Sequence, residues 1–137
     1  MGESILAHRH ILIVDDDVRG KYALVSYLET HNMEIYTAEN GHGALEMLRR
    51  YDEIEMVLMD IMMPVMDGYE TIRRVRANPA TAGLPIIAVT AMAMRGDQEK
   101  CLAAGATDYI SKPLSLLELL QKIGKLIGLP KNQMNDR

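Results

Sequence analysis

Five short apolar runs, each followed by a stretch of helical periodicity, recur along the chain with only brief connections between them. The first, ILIV at 11–14, ends abruptly in Asp15-Asp16-Asp17, after which Leu24, Val25 and Leu28 recur at helical spacing to about Glu29. Residues 33–38 alternate as a second strand, and Asn40 is placed to cap a helix carrying Ala44, Leu45 and Leu48. Met56 to Asp60 reads as a strand buried on both faces. Pro64 and Gly68 mark the loop after it, and a helix from Gly68 to Arg76 is stopped by Asn78-Pro79. Residues 84–89 are the fourth run, leading into Thr90, and a helix at 96–104 has Gly105 as its left-handed cap. Residues 107–110 form a brief fifth strand before Lys112-Pro113. Ser115 and Glu118 then have capping-box spacing ahead of a helix whose Leu116, Leu120, Ile123 and Ile127 mark one face. Strict alternation of this kind specifies an α/β fold, a doubly wound five-stranded parallel sheet with helices on both faces. Each right-handed crossover lays its helix back on the sheet.

One ordinary domain accommodates the chain, with 10–129 as the folded unit and 1–9 and 130–137 as tails. Lys and Arg number 15 against 19 Asp and Glu, a formal charge of -4 that offers nothing to nucleic acid. Only Arg73, Arg74 and Arg76 cluster, and favourable charge near a helix C-terminus accounts for them. Cys101 is alone, so neither a disulfide framework nor a thiolate metal site forms within one chain, and a reducing compartment is implied. No run approaches a membrane span, and residues 1–10 hold no continuous apolar segment. A cytoplasmic chain without membrane contact is expected, with a homodimer left open.

Every candidate for chemistry falls at the carboxyl end of an expected strand: Asp15 and Asp16 after the first, Asp60 at the third, Thr90 after the fourth, Lys112 after the fifth. An open parallel sheet binds ligands at that edge. In the flavodoxin-like order 2-1-3-4-5, strands one and three flank the point where the winding reverses, so the acidic pair and Asp60 face each other across the crevice. Each pair of like charges about 4 Å apart costs roughly 4 kcal/mol at an effective dielectric near 20. Three such pairs rival the roughly 5–15 kcal/mol that keeps a domain folded. The cluster therefore needs a cation, a raised pKa, or both. Its ligands are all oxygen, which selects a hard divalent ion, Mg²⁺ ahead of Mn²⁺. Lys112 adds positive charge and Thr90 a hydroxyl for phosphate oxygens, and Asp60, kept ionised, is placed to attack phosphorus in line and form an acyl phosphate.

Four stretches occur in order: Ile-Val-Asp15-Asp16, Leu-Met-Asp60-Ile-Met-Met-Pro-Val-Met-Asp-Gly68, Val-Thr90-Ala91 and Asp108-Tyr109-Ile-Ser-Lys112-Pro113. On these the sequence resembles the response-regulator receiver domains of two-component signalling, over about His10 to Leu129. The resemblance implies Asp60 as phosphoacceptor, Asp16 as a direct Mg²⁺ ligand, Asp15 acting through a metal-bound water, and the backbone carbonyl of Met62 completing the site. It implies that Thr90 and Lys112 hold the phosphate, that the Lys112-Pro113 bond is cis, and that Tyr109 turns inward as Thr90 moves. The phosphoryl donor would be a histidine kinase or a histidine phosphotransfer domain. The wording Met-Pro-Val-Met-Asp-Gly and Thr-Ala-Met-Ala-Met-Arg-Gly-Asp is most like the receivers of hybrid sensor histidine kinases. That implies a signalling domain excised or descended from a phosphorelay protein, one that assists its own phosphotransfer and is not an enzyme. Asp17 is read as a helix N-terminal residue and not as a third ligand. Met62 and Met92 occupy positions that in this family border the path of the hydrolytic water, so slow self-dephosphorylation is expected.

Rival readings remain open on the residues themselves. Asp15-Asp-Asp17 has the spacing of a haloacid-dehalogenase-type phosphatase nucleophile, although Arg19 stands where that motif wants Thr or Val. A receiver fold that docks without being phosphorylated is the other, against which the complete acidic set argues. A flavodoxin-like cofactor binder fits least, because three acidic residues in the first loop repel phosphate. Of the 11 methionines, Met56 and Met59 on a strand and Met47 on a helix face read as core filling. His8, His10, His31 and His42 are scattered without ligand spacing.

Overall fold

The computed structural model describes residues 6–63, 65–91 and 94–127. Strands β1 His10–Val14, β2 Glu34–Ala38, β3 Met56–Asp60, β4 Ile86–Thr90 and β5 Asp108–Ser111 alternate with helices α1 Val18–Glu29, α2 Gly41–Arg50, α3 Gly68–Ala77, α4 Arg95–Ala104 and α5 Leu116–Ile127. All strand pairs are parallel, in the order β2-β1-β3-β4-β5. The register aligns Val14 with Met59, Asp60 with Val89 and Thr90 with Ser111, which brings the ends of the four strands β1, β3, β4 and β5 to one edge.

Side chains alternate across the pleat, so each central strand feeds two cores. Leu12, Val57, Met59 and Ile86 face one way and meet Ala44, Ile72, Val75 and Cys101 from α2, α3 and α4. Ile11, Ile13, Leu58 and Ile87 face the other way and meet Leu24, Leu28, Leu119 and Ile123 from α1 and α5. Met56 and Met59 are fully buried, consistent with core filling. Leu6, ahead of the expected domain start, also packs into the second core. Of the expected tails, residues 1–5 and 130–137 lie outside the described residues, as do Gly128 and Leu129.

Most helix ends follow their signals. The Asn40 side chain accepts from Gly43 N at 2.7 Å, Ser115 Oγ accepts from Glu118 N at 3.2 Å, and Gly105 takes the left-handed cap at φ 119°. Three expectations need correcting. On α5, Ile123 and Ile127 are buried as expected and Leu120 packs partly against the second core, but Leu119 is buried beside them and Leu116, in the first turn, is exposed because the helix start lies at the edge of the core. Leu84 and Pro85 precede β4, since Leu84 N closes a turn onto Thr81 O and Pro85 has no N–H for the ladder. Thr107 precedes β5 because its hydroxyl, in place of a backbone carbonyl, accepts from Ile86 N at 3.0 Å.

Gly68 fixes how closely α3 approaches the end of β3. A Cβ there would lie 2.5 Å from the Asp60 carbonyl oxygen and 2.6 Å from Ile61 Cα, so only glycine permits the loop to close. Asp67 caps that helix, accepting from Glu70 N at 2.9 Å.

Candidate functional site

Asp60 is the last residue of β3, and its neighbours hold the backbone on both sides. Ile61 N donates to Val89 O at 3.0 Å and Gly68 N to Ile61 O at 3.0 Å. The carboxylate is only 3% exposed and accepts from Met62 N at 3.2 Å. Asp15 is anchored through its own N–H to Ala38 O at the end of β2, and its Oδ1 accepts from Asp17 N at 2.8 Å. Asp15, Asp16 and Asp60 each offer an oxygen, all within 4.8 Å of one another, with Asp16 exposed and Asp15 half-buried. Asp17 is not in this group. It precedes α1 at the cap position, without a side-chain capping bond.

Lys112 reaches the cluster from the end of β5, its Nζ 3.6 Å from Asp60 Oδ1 and 4.0 Å from Asp15 Oδ2. Its backbone N–H donates to Thr90 O at 2.8 Å, and the Lys112-Pro113 peptide is cis. Thr90 ends β4 and is 2% exposed. The topology therefore gathers Asp15, Asp16, Asp60, Thr90 and Lys112 at the carboxyl ends of four strands.

One ammonium does not balance three carboxylates. Burial, and next the charge of Asp15, push the Asp60 carboxyl up from 3.8 to about 6, against the opposing pull of Lys112 and the Met62 N–H. An all-oxygen cluster with uncompensated charge fits a hard divalent cation, which would restore Asp60 to its ionised form.

Tyr109 lies on β5, half-buried, and its hydroxyl donates to Gln98 Oε1 on α4 at 2.9 Å. Lys122 of α5 stands over its ring at 5.8 Å and pairs with Asp108 at 3.1 Å. Neither Gln98 nor Lys122 carries a signal in the sequence, because partners on different helices leave no local pattern. The loop after Asp60 carries a second unanticipated feature. Val65 has φ 68°, a left-handed conformation that costs a side-chain-bearing residue roughly 1–2 kcal/mol, and it is 96% exposed. Met62, in the same loop, is 59% exposed, while Pro64 and Met92 lie outside the described residues. Among the described residues no helix is long and apolar enough to cross a membrane.

Residues 11–124 match the family model described as response regulator receiver domain. Protein PilH of Pseudomonas aeruginosa is 35% identical over 118 residues, covering 86% of this chain and 97% of that protein. Hybrid histidine kinases and other curated relatives are far longer, and the chain spans between 5% and 25% of the length of several. The receiver domain of the sensor histidine kinase PA1611 from Pseudomonas aeruginosa, solved with magnesium in its active-site cleft, superposes with TM-score 0.82 at 34% identity, covering 90% of this chain and 100% of that one. The receiver domain of Ssk1 from Saccharomyces cerevisiae, solved with the histidine phosphotransfer protein Ypd1, superposes with TM-score 0.80 at 28% identity, covering 88% and 90%.

Proposed function

Because the chain belongs to the response regulator receiver domain family of two-component signalling, we propose that Asp60 is its phosphoacceptor and that a phosphohistidine on a histidine kinase or phosphotransfer domain is the donor. The observation that carries this reading is the convergence of Asp15, Asp16 and Lys112 on a single carboxylate that is 3% exposed. Mg²⁺ is the cation of choice, with Mn²⁺ as a substitute. Asp16 and Asp60 would hold it directly, Asp15 through a water, and the Met62 carbonyl would complete the set. Bound there, the ion supplies neutralisation of charge on the transferring group.

In the transfer an Asp60 oxygen forms a bond to phosphorus while the phosphorus–nitrogen bond of the donor breaks. The electron pair leaves with the imidazole nitrogen, which takes up a proton. Lys112 neutralises one phosphate oxygen and the Thr90 hydroxyl donates to another, so the chain contributes positioning and charge more than covalent chemistry. Thr90 and Tyr109 would then couple occupancy of Asp60 to the α4–β5–α5 face. The reading places the chain in the cytoplasm.

Among the described residues, seven of the eight large exposed hydrophobics sit at the acceptor end of the fold, Leu102 being the exception. Val18 and Tyr22 on α1, Met62 after β3 and Leu117 on α5 are among them, a distribution that suits a protein donor better than a small metabolite.

Incubation with acetyl phosphate and Mg²⁺, read by intact mass, tests the assignment. Wild type gains one phosphoryl adduct, Asp60→Asn gains none, and an adduct trapped on Asp15 would establish the phosphatase-type alternative instead. The apolar Met62 side chain beside Asp60 should also slow water's access, giving the acyl phosphate a lifetime of minutes or longer in Mg²⁺. Decay within seconds would contradict that expectation.

A further inference from the structure

Eight of the 11 methionines lie among the described residues, and burial divides them. Met33, Met56, Met59, Met63 and Met66 are buried, none more than 7% exposed, and Met47 is half-buried. Of these eight only Met62, at 59%, and Met94, at 73%, stand in solvent, and they bracket the acceptor, one shortly after Asp60 and the other shortly after Thr90. A thioether in solvent is open to peroxides, which convert it to a polar sulfoxide, whereas one packed in a core is shielded. The single thiol does not compete. Cys101 is fully buried, and burial raises its pKa, so little of the reactive thiolate forms.

Of the two, Met62 is tied directly to the acceptor. Its backbone N–H donates to Asp60 Oδ1 at 3.2 Å, and it lines a cleft of about 380 Å³ with Ile61, Met63, Asp67 and Tyr69. An unbranched, exposed side chain anchored there sweeps the space beside the carboxylate. As a thioether it offers water almost nothing to bind, and as a sulfoxide it carries a strong acceptor oxygen. We propose that Met62 is an oxidative modification site, whose conversion to the sulfoxide by hydrogen peroxide or an organic hydroperoxide shortens the lifetime of the acyl phosphate on Asp60. In the modification, sulfur gives an electron pair to one peroxide oxygen, the oxygen–oxygen bond breaks, and the other oxygen leaves as water or alcohol. The sulfoxide oxygen then holds a water molecule near phosphorus. That water bonds to phosphorus, the bond to Asp60 breaks with its electron pair returning to the carboxylate, and the proton passes to solvent. The inference rests on Asp60 as acceptor and adds a control on how long it stays loaded.

The protein is treated with limiting hydrogen peroxide, quenched with catalase and mapped by peptide mass. It is then labelled with acetyl phosphate and Mg²⁺, freed of the donor, and followed by intact mass. Met62 should take up oxygen before Met47 and the buried methionines. The half-life of the phosphoryl adduct should fall about fivefold relative to untreated protein, the worth of one hydrogen bond to the attacking water. Methionine sulfoxide reductases for both sulfoxide epimers, with dithiothreitol, should restore it. Met62→Leu, compared before and after peroxide, should show no change in half-life, while Met94→Leu should respond as wild type does. Oxygen uptake that spares Met62, an unchanged half-life once Met62 is oxidised, or an equal fall in Met62→Leu would overturn the proposal and leave Asp60 as acceptor. Absence of any adduct on the untreated protein would remove the acceptor reading as well.

Discussion

At the amino-terminal edge of the sheet, Arg9 lies against Glu55 with Nε 3.0 Å and Nη2 2.9 Å from Oε2, and Glu55 also accepts from His10 N at 2.8 Å. Arg76 of α3 reaches the same edge and donates to Gly105 O at 2.8 Å, Ala82 O at 3.0 Å and Thr107 Oγ1 at 3.3 Å, tying the loops before β4 and β5 together. At the carboxyl-terminal edge three carboxylates cluster and Lys112 reaches two of them, 3.6 Å from Asp60 and 4.0 Å from Asp15. One edge matches donor to acceptor within the fold. The other leaves charge uncompensated, and what it lacks has to arrive from solution. Stability is made at one edge and given up for chemistry at the other, a separation that open parallel sheets impose by placing every helix N-terminus and strand C-terminus on one side.

The largest charge imbalance falls on Asp60. Its carboxyl sits above the unfolded value, so protonation favours the folded chain. That contribution is complete below about pH 4 and is lost as pH rises through about 6. A rise from 3.8 to about 6 corresponds to about 3 kcal/mol. Metal-free Asp60→Asn should therefore be more stable than wild type at pH 7 by up to about 3 kcal/mol, with the gap closing near pH 4 and narrowing again when Mg²⁺ is added to wild type. Urea unfolding across that range checks it, and an Asn variant less stable at pH 7 would mean that the site is not under charge strain.

Arg76→Ala probes the opposite edge. It leaves the carbonyls of Gly105 and Ala82 without their charged donor and should cost about 2 kcal/mol in urea unfolding, with acetyl phosphate labelling unchanged. Loss of labelling at unchanged stability would erase the division between the two edges.

Glu55→Gln is the smallest and sharpest test. Burial alone would raise this carboxyl, but the Arg9 side chain, the His10 N–H and their charges hold it below the usual carboxylate range. For an acid lowered by folding, the stabilisation is present above its unfolded pKa and lost as pH falls through the folded one. The cost of Glu55→Gln should thus be about 0.5–1 kcal/mol at pH 7, since the pair is partly exposed, and vanish in acid. The two edges would then show opposite pH slopes.

The parallel sheet and the residues at its strand ends were legible because both follow from short-range rules, while the order 2-1-3-4-5 came with the flavodoxin-like fold. Alternating apolar runs set a parallel sheet, and a parallel sheet gathers Asp15, Asp16, Asp60, Thr90 and Lys112 on one side whatever the details of packing. The Asn40 and Ser115 caps and the Gly105 turn were readable for the same reason, since each acts within a few residues of itself. Tertiary structure alone decided the rest. Arg76 reads as a favourable helix-end charge until the folded chain shows its acceptors 29 and 31 residues away. The Gln98 partner of Tyr109 depended on how α4 lies across the strand. The backbone angle of Val65 and the displaced pKa of Asp60 are properties of a closed loop and a shared enclosure. Periodicity carries information about neighbours along the chain, whereas strain, burial and charge imbalance exist only once distant segments occupy the same space.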